Sequence, residues 1–203
     1  MIVYEVDKAH YENIMKVLNG VQKDSKAILK KAINNTAKQA RKSLASEAKE
    51  TYAVKVSGFN KSMKLKSATV SNIEATIQSK GEALEIGKYK AQPFKVATGS
   101  NKPKQIKAKV LTESSMRALI NGDTKAFVAK FRSNGHVAVV ERDESRRMKS
   151  NPKKAFLKKL LSPSVPQMLG NEKNIFGKIE PEIDDLLTLN IKSELQRVME
   201  VRS

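Results

Sequence analysis

The chain has 203 residues, enough to bury a substantial core, and carries 39 Lys and Arg against 21 Asp and Glu, a formal net charge of +18. It contains no cysteine, which excludes disulfides, thiolate chemistry and cysteine-ligated zinc and suits a reducing cytoplasm. The charge is segregated: residues 1–50 carry 10 basic and 6 acidic groups (+4), residues 51–160 carry 24 and 8 (+16), and residues 161–203 carry 5 and 7 (−2). A field concentrated in the middle of the chain favours a phosphate backbone or an acidic protein surface as partner, without deciding between them.

The opening residues lack a basic leader followed by an apolar run, and no stretch of about 20 apolar residues occurs, so neither export nor membrane spanning is expected. Residues 2–6 read as a short strand and 11–18 as a helix, with Asn19-Gly20 as the break after it. A long helix is expected over residues 25–52, where Leu29, Ile33, Ala37, Ala40, Leu44 and Ala48 recur at helical spacing with no Pro or Gly between them. At 1.5 Å per residue it would be roughly 40 Å long. Its alanine-rich far end permits close approach by a partner element.

Residues 53–66 loosen into a basic, turn-rich segment in which residues 57–60 can start a short helix carrying Met63 and Leu65. Ile73, Ala75 and Ile77 alternate with polar residues, as in a half-buried strand. A further strand is expected around residues 105–111. Between them, residues 88–104 hold Pro93, Gly99, Pro103 and five lysines and read as an exposed loop. Phe127, Ala129 and Phe131 on one side of Asn134-Gly135, with Val137 and Val139 on the other, predict a β-hairpin. Residues 141–154 read as charged and irregular, and residues 155–161 as the last strand. In Ser162-Pro163-Ser164-Val165-Pro166-Gln167-Met168-Leu169-Gly170 two prolines fix φ near −65° and remove two amide donors, so the chain must leave the sheet there. The pattern predicts a short helix capped by Ser164, with Pro166 in its first turn and Gly170-Asn171 as a left-handed stop. A final helix is expected over residues 181–201, opened by Pro181 and carrying Ile183, Leu186, Leu187, Ile191, Leu195 and Val198 on one face.

Catalytic patterns are missing. His10 and His136 are 126 residues apart without ligand-spaced companions, and no nucleophile elbow, phosphate-binding glycine loop or dinucleotide motif occurs. His136 is expected to be a solvated turn residue. Glu180, Glu182, Asp184 and Asp185 are explained by dipole complementarity at a helix N-terminus. No cofactor, metal or catalytic residue is expected.

Two basic clusters remain as candidate electrostatic contacts. Lys102, Lys104, Lys107 and Lys109 alternate along the strand expected near residue 107, placing them on one solvent face with Ile106, Ala108 and Val110 opposite. Arg146, Arg147, Lys149, Lys153 and Lys154 form the second cluster. Each is either a solvated face or a surface that meets DNA phosphates or an acidic subunit. With aromatics at 5% and no Trp, single-strand base stacking is disfavoured, and residues 125–131 resemble an RNA-recognition strand only loosely.

The segment Ser164-Val165-Pro166-Gln167-Met168-Leu169-Gly170 after Leu160-Leu161-Ser162-Pro163 resembles a signature of the lambda-type prophage minor tail protein Z, or tail-completion, family. The resemblance extends diffusely over residues 25–200. Ala32-Ile33-Asn34-Asn35-Thr36-Ala37 with Ala40-Arg41 resembles the family's opening helix, residues 53–69 its basic segment, and Phe127–Phe131 with Asn134-Gly135-His136 its central hairpin. Ser162 stands where the family usually has glycine.

The resemblance implies a non-enzymatic virion protein made in the host cytoplasm, acting at the head-proximal end of the tail in head–tail joining. It also implies assembly as a ring, commonly a hexamer, between tail terminator or tube proteins and head–tail connector proteins, with genomic DNA passing through the lumen and no membrane involved. The docking element would be Ser164 to Gly170. The expected fold is α+β, one domain over 1–203: an N-terminal arm (1–24), a long helix (25–52), a basic β-rich region (53–163) with the loop 88–104, and the signature with the C-terminal helix (164–203). Both long helices would pack on a small, mainly antiparallel sheet. A cytoplasmic basic nucleic-acid-binding protein is the alternative function.

Overall fold

The computed structural model describes residues 16, 24–55, 58–97, 99–101 and 103–202. The strand and helix expected over residues 2–18 and the break at Asn19-Gly20 therefore lie outside the described residues, save for Lys16. The fold is α+β, and among the described residues every strand pairing is antiparallel. The chain clusters into two compact units: Met1–Ala48 with Gly58–Gly81 and Val165–Ser203, and Lys49–Ser57 with Glu82–Ser164.

The first unit is organised by two long helices. Helix α1 spans Ser25–Thr51, 27 residues without the Pro or Gly that would interrupt it, and passes into the second unit at Lys49. Its buried line is Ile28, Ala32, Thr36, Ala40, Leu44 and Ala48. The early part of that line is set back one residue from the expected stripe: Leu29, Ile33 and Ala37 flank it half-buried. Small Ala32 and Thr36 occupy the centre of the contact because they let the partner backbone approach, while the larger Leu29 and Ile33 pack at its sides. The short helix α2 is only Phe59–Ser62, and Met63 and Leu65, expected on it, lie instead on strand β1 (Met63–Lys66), which pairs with β2 (Thr76–Ser79), Leu65 opposite Ile77. The strand expected from Ile73 thus begins only at Thr76. Before it, the chain is tied down by Asn34 of α1: Ala68 N–H donates to Asn34 Oδ1 at 2.7 Å, and Asn34 Nδ2 donates to the Ala68 carbonyl at 3.0 Å.

The C-terminal part of this unit comprises α3 (Val165–Leu169), a π-helical turn (Glu172–Phe176) and α4 (Gly177–Arg202). Helix α4 runs antiparallel to α1, as its cross-contacts show: Lys178 to Glu47 at 2.8 Å, Asn190 to Thr36 at 3.0 Å and Lys31 to Glu194 at 3.8 Å. Ile28 and Ala32 cluster with Leu187 and Ile191. Pro181 does not open α4 but lies inside it. The π turn delivers the chain already helical, and Pro181 is the fifth residue of α4, close to its start, where it forgoes the bond its amide would make. Gly177 is needed at that join: a Cβ there would lie 2.6 Å from the Glu172 carbonyl oxygen. Among the described residues no helix is long and apolar enough to cross a membrane.

The second unit is built from short strands and one long ribbon. Strands β4 (Lys90–Gln92), β5 (Lys107–Lys109) and β6 (Arg117–Ala118) form one sheet, and isolated bridges join Tyr52 to Leu111 and Val54 to Tyr89. Strand β3 (Leu84–Glu85) pairs with β12 (Leu161–Ser162), and β7 (Ile120–Asn121) with β8 (Thr124–Lys125). Residues 88–104 are thus not all loop: Tyr89 and Ala91 are buried, and Lys90–Gln92 is paired strand. The expected strand over 105–111 shortens to Lys107–Lys109, because beyond it Leu111 bridges Tyr52 and the Val110 carbonyl accepts from the Ala53 N–H.

The predicted hairpin is present. Strand β9 (Phe127–Lys130) pairs with β10 (Val137–Met148), Val140 opposite Phe127, and Gly135 has φ 68°, a left-handed conformation that glycine adopts without penalty. Residues 141–154, expected to be irregular, are instead mostly strand. Strand β10 continues to Met148 and returns as β11 (Asn151–Lys159), which begins four residues before the strand expected at 155–161. Register shifts between Asp143 and Arg147, and between Arg147 and Met148, interrupt this pairing. Both faces of the outer ribbon are solvated, so no apolar alternation marks it in the sequence, and the bulges break what period of two remains.

Candidate interaction surface

The signature segment folds as a buried plug with a small exposed edge. The chain leaves β12 at Ser162, and Val165–Leu169 forms α3 with Pro166 in its first turn, where a missing amide costs nothing. Ser164, Val165, Met168 and Leu169 are buried, Pro166 is half-buried, and only Gln167 and Gly170 are exposed. Gly81 packs beneath Pro166: a Cβ there would meet Pro166 Cδ at 3.4 Å. The left-handed stop at Gly170 is not formed, since Gly170 is not among the positive-φ glycines. Instead its N–H donates to the Pro166 carbonyl at 2.9 Å, and Asn171 caps the following π turn by accepting from the Asn174 N–H at 2.9 Å. The apolar half of the segment is therefore core, and the surface it offers is the Gln167 and Gly170 edge.

Of the first basic cluster, Lys102 lies outside the described residues. Lys107 is exposed between buried Ile106 and buried Ala108, so the expected alternation holds there. Lys109 is half-buried and its Nζ donates to the Thr112 carbonyl, while exposed Lys104 sits on a bend before the strand. Lys104, Lys107 and Lys109 thus do not form a single exposed row.

The second cluster is brought together more fully. Arg146 and Arg147 end the outgoing strand of the ribbon, Lys149 lies in the turn, and Lys153 and Lys154 begin the return; all five are exposed. The Arg146 guanidinium lies over the Phe156 ring, 4.2 Å from its centroid, and Arg142 over Phe127 at 5.5 Å. Arg147 pairs with Glu144 at 3.4 Å and Lys158 with Glu141 at 3.2 Å. Asp143 accepts from the Ser145 N–H and hydroxyl, and those bonds, with nearby Arg146 and Lys158, hold its carboxyl below the usual range. Arg142 also reaches a cleft of about 230 Å³ shared with Lys95, Lys104, Lys125 and Phe127. None of that cleft's described lining residues is acidic. Sequence reasoning missed Lys95, Lys125 and Arg142, because only folding converges three separated segments.

His136 is not a free turn residue. Its Nε2 lies 2.8 Å from Glu85 Oε2, Lys159 Nζ donates to Glu85 Oε1 at 2.8 Å, and the imidazole stacks on Phe131 with centroids 6.4 Å apart. Burial opposes ionisation of Glu85, but the hydrogen bonds from Lys159 and His136 outweigh it and lower its pKa. The buried Tyr89 hydroxyl donates to the Pro163 carbonyl at 2.7 Å, and burial, followed by the influence of Tyr52, pushes its pKa up to about 12. Of the acidic cluster only Glu180 lies in the first turn of α4; because the helix starts at Gly177 and not at Pro181, Glu182, Asp184 and Asp185 lie beyond the reach of the helix dipole, contrary to expectation. Asp184 has a buried Oδ1 without a hydrogen-bond partner among the described residues, and burial and then Asp185 raise its pKa.

Among the described residues no group of three His, Cys, Asp or Glu is placed to hold a metal ion, and the geometry presents charged surfaces and a structural plug. No curated protein and no solved structure matches the chain. The family model for "Prophage minor tail protein Z (GPZ)" matches residues 10–201, nearly the whole length and including the ribbon, both long helices and the signature plug. The chain therefore belongs to the prophage minor tail protein Z family and is a phage tail structural protein.

Proposed function

We propose that this protein is a non-enzymatic completion component at the head-proximal end of the tail, required for joining the tail to a DNA-filled head. The observation that carries the reading is family membership across residues 10–201. In this reading copies of the chain form a ring on the tail's rotational symmetry, commonly sixfold, between tail terminator or tube proteins and head–tail connector proteins. Heterologous contacts between neighbours in such a ring suit apolar side chains left in solvent, such as Leu189 and Met199 of α4, exposed 64% and 59%. The basic middle region meets DNA as it passes through the lumen.

Deleting the gene from its phage or prophage, inducing, and imaging the particles tests the proposal. Expected are normal-length tails and full heads that are separate or unproductively joined, with infectivity restored by the gene in trans. Intact, infectious virions from the deletion strain would overturn it.

A further inference from the structure

The outer ribbon is exposed on both faces: Glu144, Ser145, Arg146, Arg147, Lys149, Lys153 and Lys154 all face solvent. At its base four cations, Lys95, Lys104, Lys125 and Arg142, converge on one cleft. Among the described residues, Lys95, Lys104, Lys125, Lys149, Lys153 and Lys154 make no ion pair. The ribbon carries Asp143 and Glu144, with Glu144 paired to Arg147, but the cations of the cleft and Lys149, Lys153 and Lys154 outnumber the carboxylates and repel one another in the free protein, and a bound polyanion relieves that repulsion.

We propose that the ribbon of β10 and β11 and the cleft at its base form one binding site for the sugar–phosphate backbone of duplex DNA. The proposal deepens the reading of DNA passage through the tail and rests on it. A protein partner would need an apolar, desolvated centre to its interface. The outer ribbon offers none, since Ala155 is buried and Met148 half-buried, while a phosphate backbone needs only cations. Single strands are bound by stacking bases on aromatic rings. Here Phe156 and Phe127 are already covered by Arg146 and Arg142, which leaves the duplex backbone as the polyanion that fits. A two-stranded ribbon also has the width that the major groove admits.

The test is fluorescence anisotropy of the full chain with a labelled random-sequence duplex, stepped from about 50 to 200 mM salt. The neutralised variant R146Q/R147Q/K149Q/K153Q/K154Q is compared with a charge-preserving variant, R146K/R147K/K149R/K153R/K154R, and circular dichroism checks that both fold. Five lost phosphate contacts reduce the slope of log K against log salt by up to about 4.5. Affinity at the low-salt end should fall at least about tenfold, with the charge-preserving variant binding like wild type. Equal affinity of wild type and the neutralised variant, loss of binding in both variants, or absence of binding by wild type would overturn the site. So would competition by polyglutamate as effective as by unlabelled duplex, which would mark an acidic protein surface as the ligand. Failure of DNA binding alongside unjoined heads and tails in the deletion strain would sink this site and leave the tail role standing.

Discussion

Replacing Asn34 by alanine sets two effects of opposite sign against each other. Alanine is the better helix former by roughly 0.5–0.7 kcal/mol, so local propensity alone predicts a slight gain in stability from Asn34→Ala in the middle of α1. The structure predicts a loss. Asn34 satisfies both backbone groups of Ala68, a residue only 3% exposed, at 2.7 and 3.0 Å. Each buried backbone group left without a partner costs about 1–3 kcal/mol. Asn34 itself is half-buried, so water can partly rescue the site and the low end applies, about 2–3 kcal/mol for the pair. Net of the propensity gain, Asn34→Ala should destabilise by about 1.5–2.5 kcal/mol and lower the melting temperature by roughly 3–10 °C. Asn34→Asp keeps the acceptor for the Ala68 N–H and loses the donor to its carbonyl, so it should fall between. Thermal and urea unfolding followed by circular dichroism measure the change. An Asn34→Ala protein as stable as wild type would refute the claim that this contact anchors the segment before β2.

Leu169→Ala in the fully buried plug should cost about 2.5–5 kcal/mol in urea unfolding, whereas Gln167→Ala on its exposed edge should change stability by less than about 0.5 kcal/mol. Glu85→Gln should destabilise by about 1 kcal/mol at pH 7, discounted because Lys159 and His136 are 42% and 40% exposed. Because the folded pKa of Glu85 is lowered, its contribution is present above the unfolded value near 4.5 and is lost as pH falls through the folded one. The difference between Glu85→Gln and wild type should therefore shrink below about pH 4.5, as unfolding across a pH series would show. Gly135→Ala, forced to φ 68°, should destabilise the hairpin by about 1 kcal/mol in the same unfolding assay.

What could be read from the sequence was whatever local chemistry dictates. An uninterrupted helical repeat located α1, Asn134-Gly135 located the hairpin, and two prolines placed the exit from the sheet and the short helix after it. The errors arose where tertiary contacts decide. The spacing of Leu29, Ile33 and Ala37 marks the start of the α1 stripe, but close helix packing buries Ile28, Ala32 and Thr36 instead. Pro181 read as a helix start only because the π turn that already carries the helix leaves no pattern of its own. Strand β10 from Glu141 onward was illegible because its residues are charged and the outer ribbon, wetted on both sides, needs no alternation. Likewise, pairing of His136 with Glu85, 51 residues away, has no sequence signal. Of the candidate contacts, the five residues of the second cluster were identifiable from their local density. Their union with Lys95, Lys125 and Arg142 came only from the fold.

The proposed place of this protein in the virion is the head-proximal end of the tail. Assembling particles from an epitope-tagged copy of this chain and labelling them with gold-conjugated antibody for electron microscopy tests it most directly. Label is expected at the junction of tail and head, on infectious particles. Label at the distal tip, along the tail shaft or on the capsid would contradict it.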